Sequence, residues 1–291
     1  MIRKLLRRVL KNTSSDNVPS SDTSSVKILA PETPATEAID PSENPFLVGQ
    51  KDRIQGGWFN QESDEIYPGI KIESHHTVVD IGCGDGRAIK FCSKRQAHVI
   101  FMDINEAKIK SLETELNKNN ARKVDAIVGD CTNTGIEDNT ADIVICTEVL
   151  EHVDDPVKVM MELARIGKPG ATYILTVPDP AGEALMKVTA PPIYFKKPNH
   201  IRIFEREEFR SLVTNAKLEI TEQSYHGAFW SIFWIMQWTA GKSMSAPWEE
   251  PMVKYWAKAW SEVLAHPNGD KIKSALEEAI PKSQVIIAKK V

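Results

Sequence analysis

The sequence of 291 residues contains four cysteines, Cys83, Cys92, Cys131 and Cys146, and no CxxC spacing among them. A small secreted domain stapled by disulfides carries a denser cysteine framework, and structural zinc sites place their ligands closer together. We therefore interpret these side chains as free thiols in a reducing compartment, which predicts a cytoplasmic protein. We also expect no metal, because no cluster of His, Cys or Asp has the spacing of metal ligands in the sequence.

The sequence also lacks a large excess of charge of one sign, and it lacks long hydrophobic runs. The 36 basic residues against 40 acidic residues leave a net charge of −4, so the chain has no basic field that would attract nucleic acid. An apolar run of about 13 residues begins at Ala228 and would span ~20 Å as a helix, which is short of the ~30 Å hydrocarbon core of a bilayer. These properties predict no nucleic-acid partner and no transmembrane helix.

Aromatic residues are absent from residues 12–45, which are rich in Ser, Thr, Pro, Asp and Glu. Such a segment cannot bury enough apolar surface to offset its ordering entropy, so we predict a disordered linker. Residues 1–11 alternate apolar and basic side chains as a basic amphipathic helix would. This helix suits peripheral contact with an anionic membrane, an organellar transit peptide or a solvated terminus. The folded domain is then expected at 46–291.

Apolar strands alternate with helical periodicities from residue 77 onward. This alternation predicts an α/β fold, a doubly wound and mainly parallel seven-stranded sheet. The predicted strands are 77–81, 98–103, 124–130, 141–148, 171–178, 218–226 and 283–290. The predicted helices between them are 87–96, 105–119, 155–167 and 205–216.

A glycine-rich turn, VVDIGCGDG at 78–86, follows the first of these strands and precedes a helix. Its glycines let the backbone approach a ligand closely, and the leading acid Asp80 suits a cationic ligand that lacks phosphates. Asp103 ends the next strand, where a carboxylate can accept hydrogen bonds from both ribose hydroxyls. Position 87 is Arg, where a dinucleotide fingerprint has its third glycine. This departure disfavours a nicotinamide-dependent oxidoreductase, which stays an alternative.

Five segments, in order, carry a resemblance to a known family: VVDIGCGDG, FMDIN, VGDC, DIVICTEVLEHVDDP and GKPGATYILTVPDP. Residues 70–225 and the final strand resemble the class I S-adenosylmethionine-dependent methyltransferases. The EVLEH sequence at 148–152 resembles one branch of that family. The resemblance implies S-adenosyl-L-methionine as the cofactor, methyl transfer as the activity, and a Rossmann-like sheet whose last strand is antiparallel.

The resemblance also implies which residues hold the cofactor. The glycines would pass beneath its methionine and ribose moieties, Asp103 would bind the ribose hydroxyls, and the end of the fourth strand would lie beside the sulfonium. The implied cofactor-binding residues are Asp80, Gly82, Gly84, Gly86, Asp103, Ile104, Asp130, Cys131, Thr147 and Glu148.

Methyl transfer to a hydroxyl requires that a proton be removed, and histidine is the side chain suited to this near neutral pH. His152 lies just beyond the fourth strand and His200 follows an irregular segment of about 20 residues after the fifth, so both are candidate catalytic bases. Each could instead cap a helix or pair with a neighbouring group. The other five histidines, His75, His76, His98, His226 and His266, are interpreted as solvated or structural.

The sequence says less about the acceptor of the methyl group than about the cofactor. The fourth strand ends in CTEV instead of the Asn/Asp-Pro-Pro-aromatic sequence of enzymes that methylate amines of bases or glutamine. We therefore predict methyl transfer to an oxygen of a small molecule or a lipid-linked glycan. The alternative from another functional class is a non-catalytic module that binds the cofactor and docks to a membrane.

Six of the seven tryptophans fall between residues 230 and 260, inside an aromatic-rich insertion predicted at 228–282. Three interpretations of this helical insertion stay open. It is a cap that packs on the core or across a homodimer interface, an aromatic-walled pocket for the acceptor, or an interfacial membrane patch.

Overall fold

A computed structural model describes residues 40–119, 121–241 and 250–291. The expected basic helix at 1–11, most of the expected linker at 12–45, and Trp248 lie outside the described residues. Within the range expected as linker, residues 41–43 form a 3-10 turn whose start is capped by the Asp40 side chain. A helix follows directly from Pro45.

The described part of the chain contains one large sheet and one small hairpin. The small hairpin pairs β1 with β2 in antiparallel fashion. The large sheet has seven strands in the order β5-β4-β3-β6-β7-β9-β8, all parallel except β9, which is antiparallel to both of its neighbours. The strands are β1 Glu65–Tyr67, β2 Ile70–Lys71, β3 Thr77–Ile81, β4 His98–Asp103, β5 Lys123–Val128, β6 Ala141–Thr147, β7 Gly167–Pro178, β8 Leu218–His226 and β9 Ser283–Lys290.

Helices cover both faces of this sheet, and several begin at clear sequence signals. Asn105 caps one helix by accepting a hydrogen bond from the Lys108 N–H, and Asp155 caps another whose first residue is Pro156. The helices of the described residues are α1 Pro45–Gln55, α2 Arg87–Lys94, α3 Glu106–Lys118, α4 Pro156–Ile166, α5 Pro180–Thr189, α6 Arg206–Asn215, α7 Ala228–Thr239, α8 Pro251–Ala265 and α9 Gly269–Ala279.

The core has one part on each face of the sheet. The central strands are buried on both faces, which is why Val78 and Val79 are both fully buried although they point in opposite directions. One face packs α2 and α3 through residues such as Ile89 and Leu112, and the other packs α4 and α6 through residues such as Leu163. The predicted doubly wound α/β fold with a mainly parallel seven-stranded sheet is confirmed.

The expectation of an irregular segment after the fifth strand of the sheet is wrong. Residues Pro180–Thr189 form helix α5, which begins with Pro180 behind an Asp179 cap that accepts from the Ala181 N–H. A proline at the first helical position favours a helix start, because the missing N–H would have no partner there.

The insertion before the last strand forms α7, α8 and α9, which pack against α1. Trp260 is buried and Trp256 stacks on Phe229, so these rings act as packing between the helices. Trp234 and Trp238 stack on each other at the far end of α7. Within residues 40–119, 121–241 and 250–291, none of the helices combines the length and the apolarity that crossing a membrane requires.

Candidate active site

The glycine-rich turn between β3 and α2 has a conformation that depends on glycine. Gly82, Gly84 and Gly86 all have positive φ angles, of 74°, 52° and 71°. A Cβ at Gly82 would collide with Val149, and one at Gly86 would collide with Leu112. A Cβ at Gly84 would meet nothing within 4 Å, so the backbone at this residue borders open space. The turn therefore packs closely against the protein at Gly82 and Gly86, whereas its backbone is accessible to a ligand at Gly84.

Asp103 at the end of β4 is tied to this turn. Its Oδ2 accepts a hydrogen bond from the Gly84 N–H at 3.1 Å, and its Oδ1 accepts one from the Asn105 N–H at 2.9 Å. The carboxylate is thereby fixed at the mouth of the turn. The next residue, Ile104, has a side chain that is 79% exposed, which is unusual for isoleucine and leaves an apolar surface beside the carboxylate.

Asp80 lies beneath the same turn, at the end of β3. It is 3% exposed, and its Oδ1 has no hydrogen-bond partner among the described residues. Burial, together with the nearby charge of Asp103, raises the pKa of Asp80 to about 7. A buried carboxyl group without a partner costs free energy, so Asp80 is poised to receive a cationic group.

Asp130 and Cys131 follow β5, as the sequence indicated. The Asp130 side chain accepts a hydrogen bond from the Thr132 N–H at 2.7 Å, and this bond lowers the pKa of the carboxyl group. Cys131 is half-buried against the apolar core, and burial raises the pKa of its thiol to about 11. Both residues lie at the same sheet edge as Asp103, but they are not part of the cavity wall described next.

A cavity opens at the carboxyl ends of β3 and β6, on the face of the sheet that carries α2. One side of its wall is formed by Asp80, Cys83, Thr147 and Glu148. Opposite them, three half-buried aromatic rings complete the wall: Trp58, Phe59 and Trp230. The cavity is therefore polar on the side of the glycine turn and aromatic on the side of α1 and the insertion, as ligand pockets commonly are.

Glu148 lines this cavity and also contacts a second set of polar side chains, which includes Lys282 and Thr176. It has a φ of 55°, which is an uncommon backbone conformation for a residue with a Cβ. Its Oε1 accepts from the Thr176 hydroxyl at 3.0 Å, and its Oε2 lies 3.4 Å from the Lys282 Nζ. Lys282 also lies 3.9 Å from Glu183, so one buried ammonium bridges two carboxylates.

The two candidate catalytic histidines lie together on the other side of Glu148. Their rings are 5.0 Å apart, edge to face. His152 Nδ1 is 3.0 Å from the Pro198 carbonyl, which can only accept, so Nδ1 carries the proton and Nε2 has a free lone pair. His200 Nδ1 is 3.2 Å from Glu183 Oε2. The structure brings the two histidines together, but it does not place either of them in the cavity wall.

Electrostatics around the His152 ring favours its neutral form. Burial and the neighbouring His200 lower the pKa of His152. Glu151 is fully buried with both oxygens unpartnered within the described residues, and burial raises the pKa of its carboxyl group well above the ordinary value. Burial alone would raise the pKa of Glu183, but hydrogen bonding from His200 and the charge of Lys282 outweigh it and lower that pKa.

The same group has the geometry of a candidate cation site. One donor atom each from Glu151, His152 and His200 lies within 4.8 Å of the other two. Carboxylate and imidazole donors suit several divalent transition metals. The expectation that no cluster has metal-ligand spacing missed this group, because His200 is distant in sequence and reaches the EVLEH motif only through the fold. A second group, Glu73, His75 and His76, lies in the loop before β3 and is mostly exposed.

Other residues of the cavity also escaped the sequence analysis. His226, which was interpreted as solvated or structural, lines the cavity, and burial lowers its pKa to about 4. Arg53 of α1 lines it from a helix that precedes the recognisable motifs. Lys282 had no local motif. The second glutamate of EVLEH was a usable signal, because Glu151 directly follows the apolar pair Val149 and Leu150, and an acidic residue beside a core is unusual.

Comparison with known proteins agrees with this geometry. A family model described as a methyltransferase domain matches residues 79–175. The chain is 34% identical over 99 residues to a ubiquinone biosynthesis O-methyltransferase of Hahella chejuensis, covering 32% of this chain and 40% of the relative. The corresponding enzyme of Hydrogenovibrio crunogenus is 36% identical over 149 residues, covering 45% of this chain and 58% of the relative. The chain thus spans about half the length of these relatives.

Among solved structures, a geranyl diphosphate C-methyltransferase of Streptomyces coelicolor, in complex with Mg2+, geranyl diphosphate and S-adenosyl-L-homocysteine, matches with a TM-score of 0.52. It is 13% identical, and the match covers 82% of this chain and 77% of that one. At this identity the likeness concerns the fold alone. Together, the match of residues 79–175 to a methyltransferase domain and the order of the strands show that the chain has the Rossmann-like methyltransferase fold.

Proposed function

We propose that this protein transfers a methyl group from S-adenosyl-L-methionine to an oxygen of a small molecule or a lipid-linked glycan. The observation that carries the proposal is Asp80, a buried carboxyl group whose Oδ1 lacks a partner among the described residues, beneath a glycine turn already tied to Asp103. The relatives named as O-methyltransferases favour oxygen over nitrogen or carbon as the acceptor atom.

The residues at this edge of the sheet fit the cofactor chemically. S-adenosyl-L-methionine presents a cationic ammonium and sulfonium, a ribose and an adenine. Asp80 offers an unpaired carboxyl group for a cation, Asp103 offers carboxylate oxygens for ribose hydroxyls, and exposed Ile104 offers an apolar surface for adenine. Glu148 and Thr147 border the cavity beside them, while Asp130 and Cys131 would contact the adenine edge.

The chain's own contribution to catalysis is positioning, exclusion of water and proton removal. When bound, the cofactor supplies an electrophilic methyl group on a sulfonium. The aromatic wall opposite Glu148 desolvates an acceptor held against it, and a fixed approach supplies much of the acceleration of such a transfer. An acceptor hydroxyl must also lose a proton, which requires a base with a free lone pair.

His152 is the proposed base, with His200 as the second candidate. The Pro198 carbonyl fixes the proton of His152 on Nδ1 and leaves Nε2 free to accept another. The lowered pKa keeps the imidazole neutral at pH 7. Glu183 orients His200 in the same manner through Nδ1.

Glu151, His152 and His200 could alternatively hold a divalent cation that polarises the acceptor oxygen. The two roles give opposite results with a chelator. If the histidines act as bases, dialysis against EDTA leaves turnover unchanged, and loss of activity in His152→Ala is partly recovered at alkaline pH. If they hold a cation, EDTA abolishes turnover in the wild type and Mn2+ restores it.

Calorimetry with S-adenosylhomocysteine tests cofactor binding directly. We expect a Kd below ~100 μM for the full chain and at least a ~10-fold weaker Kd for Asp103→Ala, which loses about 1.4 kcal/mol or more. Asp103→Asn keeps an acceptor for the Gly84 N–H and so separates loss of the turn from loss of the charge. Glu137→Ala, which removes an exposed carboxylate without an ion pair among the described residues, is the matched control. No binding by the wild type would overturn the proposal.

Transfer is tested with radiolabelled S-adenosyl-L-methionine and ubiquinone precursors that carry a free hydroxyl. We expect His152→Ala to lower turnover at pH 7 by ~100-fold or more. Wild-type turnover in both His152→Ala and His200→Ala would rule out the proposed bases. Binding without any transfer would favour the non-catalytic module, and binding of NADH instead would favour the oxidoreductase.

Domain organisation and location complete the proposal. We propose a cytoplasmic methyltransferase domain at 46–291, with residues 228–282 as its helical insertion, preceded by a basic helix at 1–11 and a linker at 12–45. Peripheral membrane contact through the basic helix is tested by co-sedimentation with anionic liposomes, comparing the full chain with a variant that lacks residues 1–39. Homodimer formation is tested by light scattering.

A further inference from the structure

The charges along the cavity wall are unequally compensated. Among the described residues, four basic side chains line the cavity: Arg53, Arg87, Lys273 and Lys282. Lys273 lies 2.9 Å from Asp52 and 2.6 Å from Glu277, and Lys282 pairs with Glu148 and Glu183. No carboxylate of the described residues lies within salt-bridge distance of either arginine, so two cationic groups at the cavity are left without a direct ion pair.

Both arginines are exposed to solvent, and both line the cavity. Burial and the charge of Arg87 lower the pKa of Arg53 and outweigh the opposite effect of Glu148 and Asp52. Burial lowers the pKa of Arg87 and outweighs the opposite effect of Asp85. Two like charges held in one cleft repel each other, and an anion between the walls would relieve that repulsion. This arrangement is the electrostatic signature of a site for an anionic ligand.

The cofactor cannot compensate both of them. S-adenosyl-L-methionine carries one carboxylate, one ammonium and one sulfonium, so its net charge is +1. Its single carboxylate neutralises one guanidinium at most, and its two cations need the negative charge of Asp80. With the cofactor bound, one arginine still lacks an anion, and the missing negative charge has to come from the acceptor.

The positions of the two arginines indicate which of them still lacks an anion when the cofactor is bound. Arg87 directly follows Gly86 of the glycine turn, on the side proposed for the cofactor. Arg53 belongs to α1, which lies outside the matched methyltransferase domain, and it borders the cavity together with Trp58, Phe59 and Trp230. A guanidinium beside flat aromatic rings recognises a planar molecule that carries a carboxylate or phosphate.

We propose, on the basis of the proposed methyl transfer, that the acceptor is an anionic aromatic or similarly apolar molecule, and that Arg53 binds its carboxylate or phosphate. The acceptor's ring lies against the aromatic wall formed by Trp58, Phe59 and Trp230. Arg53 is thus a determinant of specificity, contributed by a helix outside the residues 79–175 that match the methyltransferase family model.

The test measures binding of small probes to the full chain saturated with S-adenosylhomocysteine. Benzoate and phenyl phosphate are the anionic probes, and benzyl alcohol is the neutral probe of similar size. We expect at least one anion to bind ~10-fold more tightly than benzyl alcohol, with an affinity that falls as salt rises. The stronger of the two anions identifies the anionic group as carboxylate or phosphate.

Three arginine variants separate the roles. Arg53→Met should weaken the preferred anion at least ~10-fold while the Kd for S-adenosylhomocysteine stays within about twofold, and Arg53→Lys should restore part of the anion affinity. Arg87→Met should weaken S-adenosylhomocysteine. Arg122→Met, at an exposed position away from the cavity, should change neither. The Arg53 side chain forms no hydrogen bond within the described residues, so Arg53→Met should keep the wild-type melting temperature.

Two results would overturn the proposal: benzyl alcohol binding to the wild type as tightly as both anions, or Arg53→Met retaining wild-type affinity for the preferred anion. The same probes are measured without S-adenosylhomocysteine. If the wild type fails to bind S-adenosylhomocysteine, the proposed methyl transfer is wrong, and the anion measurements still report on Arg53 alone.

Discussion

At the scale of single residues, Asp80 is the side chain on which the proposed binding of the cofactor depends most. Its carboxyl group is buried, and its pKa of about 7 lies far above the ordinary value of 3.8. Between these pH values the folded state holds a proton that the unfolded state has released. The free energy of unfolding therefore falls as the pH rises from about 4 to about 7, and the cofactor's cations would offset this loss once the carboxylate has formed.

Asp80→Asn should remove this pH dependence, because asparagine does not titrate. Urea unfolding of the ligand-free protein at pH 5 and pH 8 measures it. Because only about two of the three pKa units lie above pH 5, the wild type should lose about 3 kcal/mol more than the variant between these pH values, at ~1.4 kcal/mol per unit. Identical pH dependence in the two proteins would show that Asp80 titrates normally.

Gly49 in the middle of α1 is a second residue with a specific role. A Cβ at this position would collide with the indole of Trp230, so the glycine makes room for a ring of the cavity wall. Glycine to alanine in a helix interior usually stabilises by about 1 kcal/mol. Here the displaced indole should outweigh that gain.

We therefore expect Gly49→Ala to lower the melting temperature and to change the tryptophan fluorescence. Gln50→Ala, at the exposed neighbouring position of the same helix, supplies the matched control and should do neither. A stabilised Gly49→Ala protein with an unchanged emission spectrum would contradict the assigned packing.

Local sequence patterns indicate which residues lie together when those residues are also close along the chain. The glycines, Asp80 and Asp103 lie within one strand–turn–helix unit and the strand after it, so their spacing along the chain is nearly their spacing in the fold. His152 and His200 were identified separately, but their contact was not, because 48 residues and helix α5 separate them. Arg53 and Lys282 carry no motif, and only the packing of distant elements brings them to the cavity.

At the scale of secondary-structure elements, α1 is held to the insertion by a buried polar network. Asp52 is 1% exposed, and its Oδ1 accepts from the Trp260 indole N–H and from Lys273 Nζ, both at 2.9 Å. Lys273 also donates to Glu277, which accepts from the Gly227 N–H at the start of α7. One acidic residue on α1 thus fixes its position relative to α8 and α9.

Asp52→Ala should destabilise the protein by about 3 kcal/mol, because it leaves a buried ammonium and an indole N–H with fewer partners. Hydrogen exchange should increase in residues 45–55 and 269–279. Adding Lys273→Met should recover part of the loss, because it removes the uncompensated charge. Additive losses in the double variant would mean that the two side chains do not interact.

The predicted and observed boundaries of strands and helices show which local sequence signals are enough to predict where an element begins and ends. The strands at 77–81, 98–103, 218–226 and 283–290 were predicted with the observed bounds, because each is a short apolar or alternating run between polar turns. Helix α5 was missed because the same prolines end one element and begin the next. The arrangement of the insertion against α1 had no signal in the sequence, since packing between helices distant in the chain depends on shape.

At the scale of the whole molecule, the cavity is assembled from both ends of the described chain. Deletion of residues 1–60 removes α1 and should expose Trp260 and Lys273. We expect that protein to aggregate or to melt at a lower temperature, and to lose the binding of anionic probes. Deletion of residues 1–39 leaves every described contact in place and should retain the wild-type melting temperature and probe binding. Equal behaviour of the two deletions would contradict a structural role of α1.

The contact between α1 and the insertion has an evolutionary consequence. Strands β3 to β8 lie between these two segments in sequence, whereas in space both segments contribute to one wall of the cavity. Mutations in one segment are therefore constrained by the other, and under the proposed methyl transfer the two should change together when the acceptor changes. Recombination that replaces only one of them would break the Asp52–Trp260 hydrogen bond. Under the proposed function, α1 and the insertion would therefore have to be exchanged together to alter the preferred acceptor while the glycine turn and Asp103 stay unchanged.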